Sequence, residues 1–243
     1  MDKAGRKLLR AQEIYGQLAA KNPSAYQPYL ASTCNNLGAL YADTNRMDKA
    51  EQEYLRAKKI RERLTAKNPS TYQPDLASTC NNLGVLYKDT NRMRLAEQEY
   101  LRAKEIYEQL AAENLSNYQT DLASTCYNLG MLYQNTNRIE LAEQEYLRVK
   151  KSYEQMTAEN LSNDQPGLAE SCNNLGCLYC LSNRTDLAEQ EFLRAKEIYE
   201  QMSKISPERY MVHLKMTCKN LKQLKNTREK PGFFTRLFSR FKK

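Results

Sequence analysis

Seven cysteines, a single histidine and a recurrent pair of asparagines are the side chains of this 243-residue chain whose types and spacing could do chemistry. Cys177 and Cys180 form a C-x-x-C word, and together with Cys172 and His213 they offer the donors of a metal or redox site. Three features oppose that reading: the spacing is helical, the chain holds no second C-x-x-C, and Cys172 belongs to another pattern. Cys34, Cys80, Cys126, Cys172 and Cys218 stand 46 residues apart, one after the next. Periodic unpaired cysteines behave as small packing hydrophobes and point to a reducing, cytoplasmic compartment. Neither a metal nor a cofactor follows from them. One histidine and eight glycines leave few ingredients for proton transfer or phosphate loops, so the expectation is a protein that is not an enzyme.

The asparagines follow the same period. Around the cysteines the words read ASTCNNLG, ASTCNNLG, ASTCYNLG, AESCNNLG and KMTCKNLK. The second Asn of each word is Asn36, Asn82, Asn128, Asn174 and Asn220, preceded by Asn35, Asn81, Tyr127, Asn173 and Lys219. A carboxamide both donates and accepts, so a ladder of them can pair with a peptide backbone in either sense. The competing reading is internal: each Asn satisfies a neighbouring repeat's backbone or tyrosine hydroxyl, and duplication copies it.

The elements that position these residues are helices. Residues 28–73 and 74–119 match at 34 of 46 positions, and the second half of each unit carries AEQEYLRA, AEQEYLRA, AEQEYLRV or AEQEFLRA. A period of this length marks a repeat architecture. Leu76, Cys80, Leu83 and Tyr87 recur at three- and four-residue spacing, which predicts a first helix starting at Pro74. The word DTNR supplies a turn with Asn91 as its left-handed residue. A longer second helix begins near Met93 and is expected to end before the polar stretch from Asn114 to Gln119. No segment alternates with period two, so the fold class is all-α. The expected organisation is a half-repeat at 2–27, repeats at 28–73, 74–119, 120–165 and 166–210, a capping helix at 211–226 and a tail at 227–243.

Cys34, Leu37, Gly38, Tyr41, Ala50, Tyr54 and Ala57, with their copies, resemble the tetratricopeptide repeat (TPR) pattern. The NNLG-x-LY word and the long second helix are similar to the kinesin light chain type. The resemblance implies a right-handed superhelical solenoid of antiparallel helix pairs whose inner wall is lined by first helices. It implies a protein or peptide ligand held in that groove by the Asn ladder. Variable inward positions, Val85, Lys88, Met131 and Gln134, would then set specificity. Only Lys88 and Lys219 could serve a carboxylate clamp, which makes an acidic-tail ligand a poor match. Arg46, Arg92, Arg138 and Arg184 recur in the turns and are read as pairing with helix ends or with neighbouring Glu residues.

Charge is unevenly spread. Residues 204–243 hold 12 Lys or Arg against 2 Asp or Glu, a net +10 within a chain of net +8, which leaves the rest at −2. A near-neutral body without a ladder of stacking aromatics argues against nucleic acid as a partner. The last segment, FFTRLFSRFKK, sets Phe233, Phe234, Leu237, Phe238 and Phe241 on one helical face and Arg236 and Arg240 on another. Three surfaces could cover those rings: an anionic membrane, making the protein peripheral there, a partner or second copy, or the array itself.

Overall fold

A computed structural model describes residues 3–113, 115–158 and 165–228, and among them there are ten helices and no strand. In chain order these are α1 (Lys3–Lys21), α2 (Pro23–Asp43), α3 (Met47–Lys67), α4 (Pro69–Asp89) and α5 (Met93–Glu113). They continue with α6 (Leu115–Asn135), α7 (Ile139–Ala158), α8 (Gln165–Leu181), α9 (Thr185–Ile205) and α10 (Pro207–Arg228). The chain divides between Asn128 and Leu129 into two compact units. Within unit 1, α1 packs on α2, α2 on α3, α3 on α4 and α4 on α5. Within unit 2, α7 packs on α8, α8 on α9 and α9 on α10.

The first helix of the second unit starts at Pro69, earlier than the sequence reading placed it. In α2, Asn22 caps the helix by accepting from the Ala25 N–H at 3.3 Å, and Pro23 takes the first-turn position where a missing N–H costs nothing. Pro74, read as a helix start, lies inside α4, and its counterpart Pro28 lies inside α2. α5 ends at Glu113, before the polar stretch, and Leu115 to Gln119 open α6; α10 begins at Pro207, ahead of the capping-helix boundary expected at 211. In α2 and α4 two prolines five residues apart both suit a first turn, and the outer one opens the helix; Asn22 adds a side-chain cap at α2, whereas Asn68 makes no such bond at α4.

The link inside each pair is the same turn. Asn45, Asn91, Asn137 and Asn183 are left-handed, with φ between 56° and 60°. The Arg46 N–H then reaches back to the Tyr41 carbonyl at 2.8 Å and the Asn45 N–H to the Ala42 carbonyl at 2.9 Å. This is the paired closure of a Schellman turn, with Asn in the place glycine usually takes. It reverses the chain in three residues, so the two helices run antiparallel.

Beyond the turn, glycine sets the spacing. A Cβ added at Gly38 would stand 2.6 Å from the Tyr54 ring, and one at Gly176 2.6 Å from that of Phe192. The aromatic ring lies flat on bare backbone, and the close crossing needs that. Cys34, Cys80, Cys126 and Cys172 are fully buried, the first, second and fourth of them in apolar clusters drawn from both helices, and all seven cysteines are free thiols. Arg61 is a departure: buried where Tyr107, Tyr153 and Tyr199 stand in other copies, it donates to the Asp75 carbonyl at 2.8 Å and to the Thr79 hydroxyl.

Candidate functional site

The asparagine pairs lie on the first helices, and the structure links them from repeat to repeat. Asn82 Nδ2 donates to Asn35 Oδ1 at 3.2 Å, and Asn128 Nδ2 to Asn81 Oδ1 at 3.1 Å, both inside unit 1. In unit 2, Asn220 Nδ2 donates to Asn173 Oδ1 at 3.3 Å. The two members of the NN word therefore have different jobs: the first accepts from the next repeat, the second donates to the previous one. Asn36 is exposed, as befits the first copy in the chain. Asn174 differs from its equivalents, because its Nδ2 is buried without a hydrogen-bond partner. The residue 47 positions before it is Tyr127, which carries no carboxamide.

The relay uses one N–H of each donor. Asn82, Asn128 and Asn220 are half-buried and keep Oδ1 as an acceptor. Val85 and Met131 are half-buried at the next turn of the same face. Lys88 lies 3.5 Å from Asp89, and Gln134 accepts from the Tyr146 hydroxyl at 3.2 Å, so both are already engaged. The relay was not visible in the sequence as such. Its signal was that both members of the pair recur, whereas one ligand contact per repeat would need only one.

The recurrent arginines are held twice over. The guanidinium groups of Arg46, Arg92, Arg138 and Arg184 lie 4.5–4.6 Å from the ring centroids of Tyr41, Tyr87, Tyr133 and Tyr179. Arg92 also pairs with Glu51 at 2.8 Å and Arg184 with Glu143 at 2.7 Å, each joining neighbouring repeats. The Arg184 hydrogen bonds hold the Glu143 carboxyl below its ordinary range, with burial opposing them. Lys58–Glu99 and Lys150–Glu191, each at 2.5 Å, brace the same junctions deeper in.

Three of the buried cysteines are poor nucleophiles. Burial pushes the thiols of Cys80, Cys172 and Cys180 up to about 12, so they stay protonated at neutral pH. His213 stacks on Tyr199 with centroids 5.4 Å apart. Among the described residues, no three His, Cys, Asp or Glu side chains converge where a metal ion could be held. No described helix is long and apolar enough to cross a membrane. Phe233, Phe234, Arg236, Leu237, Phe238, Arg240 and Phe241 lie outside the described residues.

Solved structures share this architecture. BtubC (BKLC) from P. vanneervenii superposes with a TM-score of 0.70 at 24% identity, covering 93% of this chain and 83% of its own. RapI in its apo form gives 0.62 at 17% identity, over 86% of this chain and 68% of that one. A putative kinesin light chain with nearly identical TPR-like repeats from P. anserina gives 0.58 at 16%, over 84% and 94%. These likenesses establish the fold, an all-α solenoid of helix pairs. No curated protein sequence matches. Tetratricopeptide-repeat models match residues 30–67, 76–114 and 168–205, and a second model of that description matches 123–155. Such repeats generally serve as non-enzymatic scaffolds for protein interaction. With matches on every helix pair and well over half the residues, the chain belongs to the tetratricopeptide repeat family.

Proposed function

We propose that this scaffold binds an extended peptide segment of a protein partner along the exposed faces of its first helices. Within unit 1 the candidate contacts are Asn35, Asn36, Asn81, Asn82, Val85, Lys88 and Asn128; within unit 2, taken by itself, they are Met131, Gln134, Asn173, Asn174 and Asn220. The observation that supports this reading is the amide relay. Its hydrogen bonds of 3.1–3.3 Å hold Asn82 and Asn128 in unit 1 and Asn220 in unit 2, and leave their Oδ1 atoms as acceptors. A relay held by its own bonds is already ordered, so a main-chain N–H of the ligand meets an acceptor that loses little rotamer entropy on binding. Val85 and Met131 add apolar area beside the amides.

The test is a peptide array probed with the full chain, followed by fluorescence anisotropy on the strongest binder. Asn36 is exposed and outside the relay, so N36A combined with V85E removes ligand contacts and leaves the fold alone. A tenfold or greater loss of affinity at unchanged Tm is expected. Unchanged affinity would remove the unit 1 face from the site.

A further inference from the structure

Charge is segregated within unit 1. Its first helices, α2, α4 and α6 as far as Asn128, carry Asp43, Asp75, Asp89 and Asp121 against one cation, Lys88, in a chain of net +8. The other basic residues of the unit lie on α1, α3, α5 and the turns. Each of the four aspartates stands seven residues from the second Asn of its word, so carboxylate and carboxamide share a helical face.

Asp75 and Asp121 occupy the same position in successive repeats, and the chain treats them differently. Arg61 of α3 brings a guanidinium to Asp75: Nη2 lies 3.7 Å from the carboxylate, and Nη1 donates to the carbonyl at 2.8 Å. One repeat on, buried and uncharged Tyr107 takes the place of that arginine beside Asp121. Among the described residues, no cation pairs with the Asp121 carboxylate. Partial burial raises its pKa, and no neighbouring charge opposes the shift. Toward the other end of the same face, Tyr100 is fully buried with its hydroxyl unpaired, near enough to Asp89 for that charge to act on it. The equivalent hydroxyl of Tyr146 reaches Gln134, so that of Tyr100 aims at the position Lys88 occupies. Asp121 lacks a counter-ion and the Tyr100 hydroxyl lacks a partner; a guanidinium or ammonium group supplies both charge and N–H donors.

We propose that the peptide bound on unit 1 is cationic, with an Arg or Lys side chain of the ligand pairing with Asp121 as Arg61 pairs with Asp75. This rests on the peptide-binding proposal and adds the charge of the ligand. Seven helical residues rise about 10 Å, so a main chain held at Asn128 reaches the Asp121 carboxylate only through a long side chain. Arg and Lys have that length. Asp89 is the weaker attraction, because Lys88 already lies 3.5 Å from it.

The test is a decapeptide array probed with the full chain. Non-specific attraction to a chain of net +8 favours acidic peptides, so the expected enrichment of Arg and Lys among the strongest binders runs against bulk charge. Fluorescence anisotropy on the strongest binder then measures D121N. The Thr125 hydroxyl bonds the Asp121 carbonyl at 2.9 Å, not its carboxylate, so this variant leaves the fold alone. Affinity should fall about fivefold at unchanged Tm. D121K should lose more than that toward the same peptide and regain most of it toward the peptide with Glu in place of Arg. Binders without cationic enrichment, or an affinity that D121N leaves unchanged, would overturn the cationic assignment. If N36A/V85E still weakens such a binder, the peptide site stands without it. An array with no binder, or binders that neither variant weakens, would remove the site and the assignment together.

Discussion

Unit 1 and unit 2 are built from nearly the same words, yet their buried polar groups do not fare alike. In unit 1 both relay donors, Asn82 and Asn128, find the carboxamide of the preceding repeat. In unit 2 Asn220 does so, and the Nδ2 of half-buried Asn174 is shut off from solvent without a partner. Tyrosine shows the opposite imbalance. Tyr146 in unit 2 donates to Gln134, whereas the hydroxyl of Tyr100 in unit 1 is buried unpaired. In the fourth copy both members change together: Phe192 has no hydroxyl, and Cys180 stands where Gln134 stood. A repeat unit fixes its own backbone and its own close crossing. Whether a polar side chain is satisfied depends on a residue elsewhere, and duplication does not keep the two in step.

The largest expected effect tests the part the units share. G38L in unit 1 and G176L in unit 2 each force a side chain into a ring already at van der Waals distance from the backbone. Each should cost about 3 kcal/mol or more, and by similar amounts, because the contact is copied. Neighbouring repeats stabilise one another across their interfaces, so the loss should spread beyond the substituted pair. Hydrogen exchange resolved by helix would show it. Unequal losses would mean that the two crossings are not equivalent.

The next effect tests the part that differs. N82A removes a relay donor and leaves Asn35 Oδ1 without its partner, which should lower stability by about 1 kcal/mol. N174A deletes a buried donor that satisfies nothing, so it should be neutral or stabilising by up to about 1 kcal/mol. Chemical denaturation of the two variants side by side measures this. Equal destabilisation would show that Asn174 has a partner after all.

What could be read from the sequence divides along the same line. The period, the helix pairs, the left-handed Asn91 and the packing role of Cys34 and its copies depend on residues close in sequence or repeated intact. They were legible. The start of α4 was not, because Pro69 and Pro74 satisfy the same local rule. The relay was not, because Asn35 meets Asn82 across 47 residues. Nor was the burial of Arg61, whose charge in a tyrosine position is held by a backbone carbonyl and a threonine. Side-chain partners fixed by the stacking of one repeat on the next leave no local trace.

The smallest effect sharpens the comparison at the turns. Arg184 meets Glu143 as a fork, Nη1 on one oxygen at 2.9 Å and Nη2 on the other at 2.7 Å, while Arg92 meets both oxygens of Glu51 through Nη1 alone. Two parallel bonds are the stronger arrangement. Both pairs are partly exposed, so solvent limits each to under about 1 kcal/mol. E143Q should therefore cost a few tenths of a kcal/mol at neutral pH, and E51Q less. The Arg184 hydrogen bonds lower the folded pKa of Glu143 from its ordinary 4.5. A carboxylate shifted in that direction adds stability above its unfolded pKa and loses it as pH falls through the folded one. The gap between wild type and E143Q should thus be widest at neutral pH and close on acidification below the ordinary carboxylate range. Denaturation midpoints taken across that range would show it. A gap that persists in acid would assign the Glu143 contribution to packing rather than to charge.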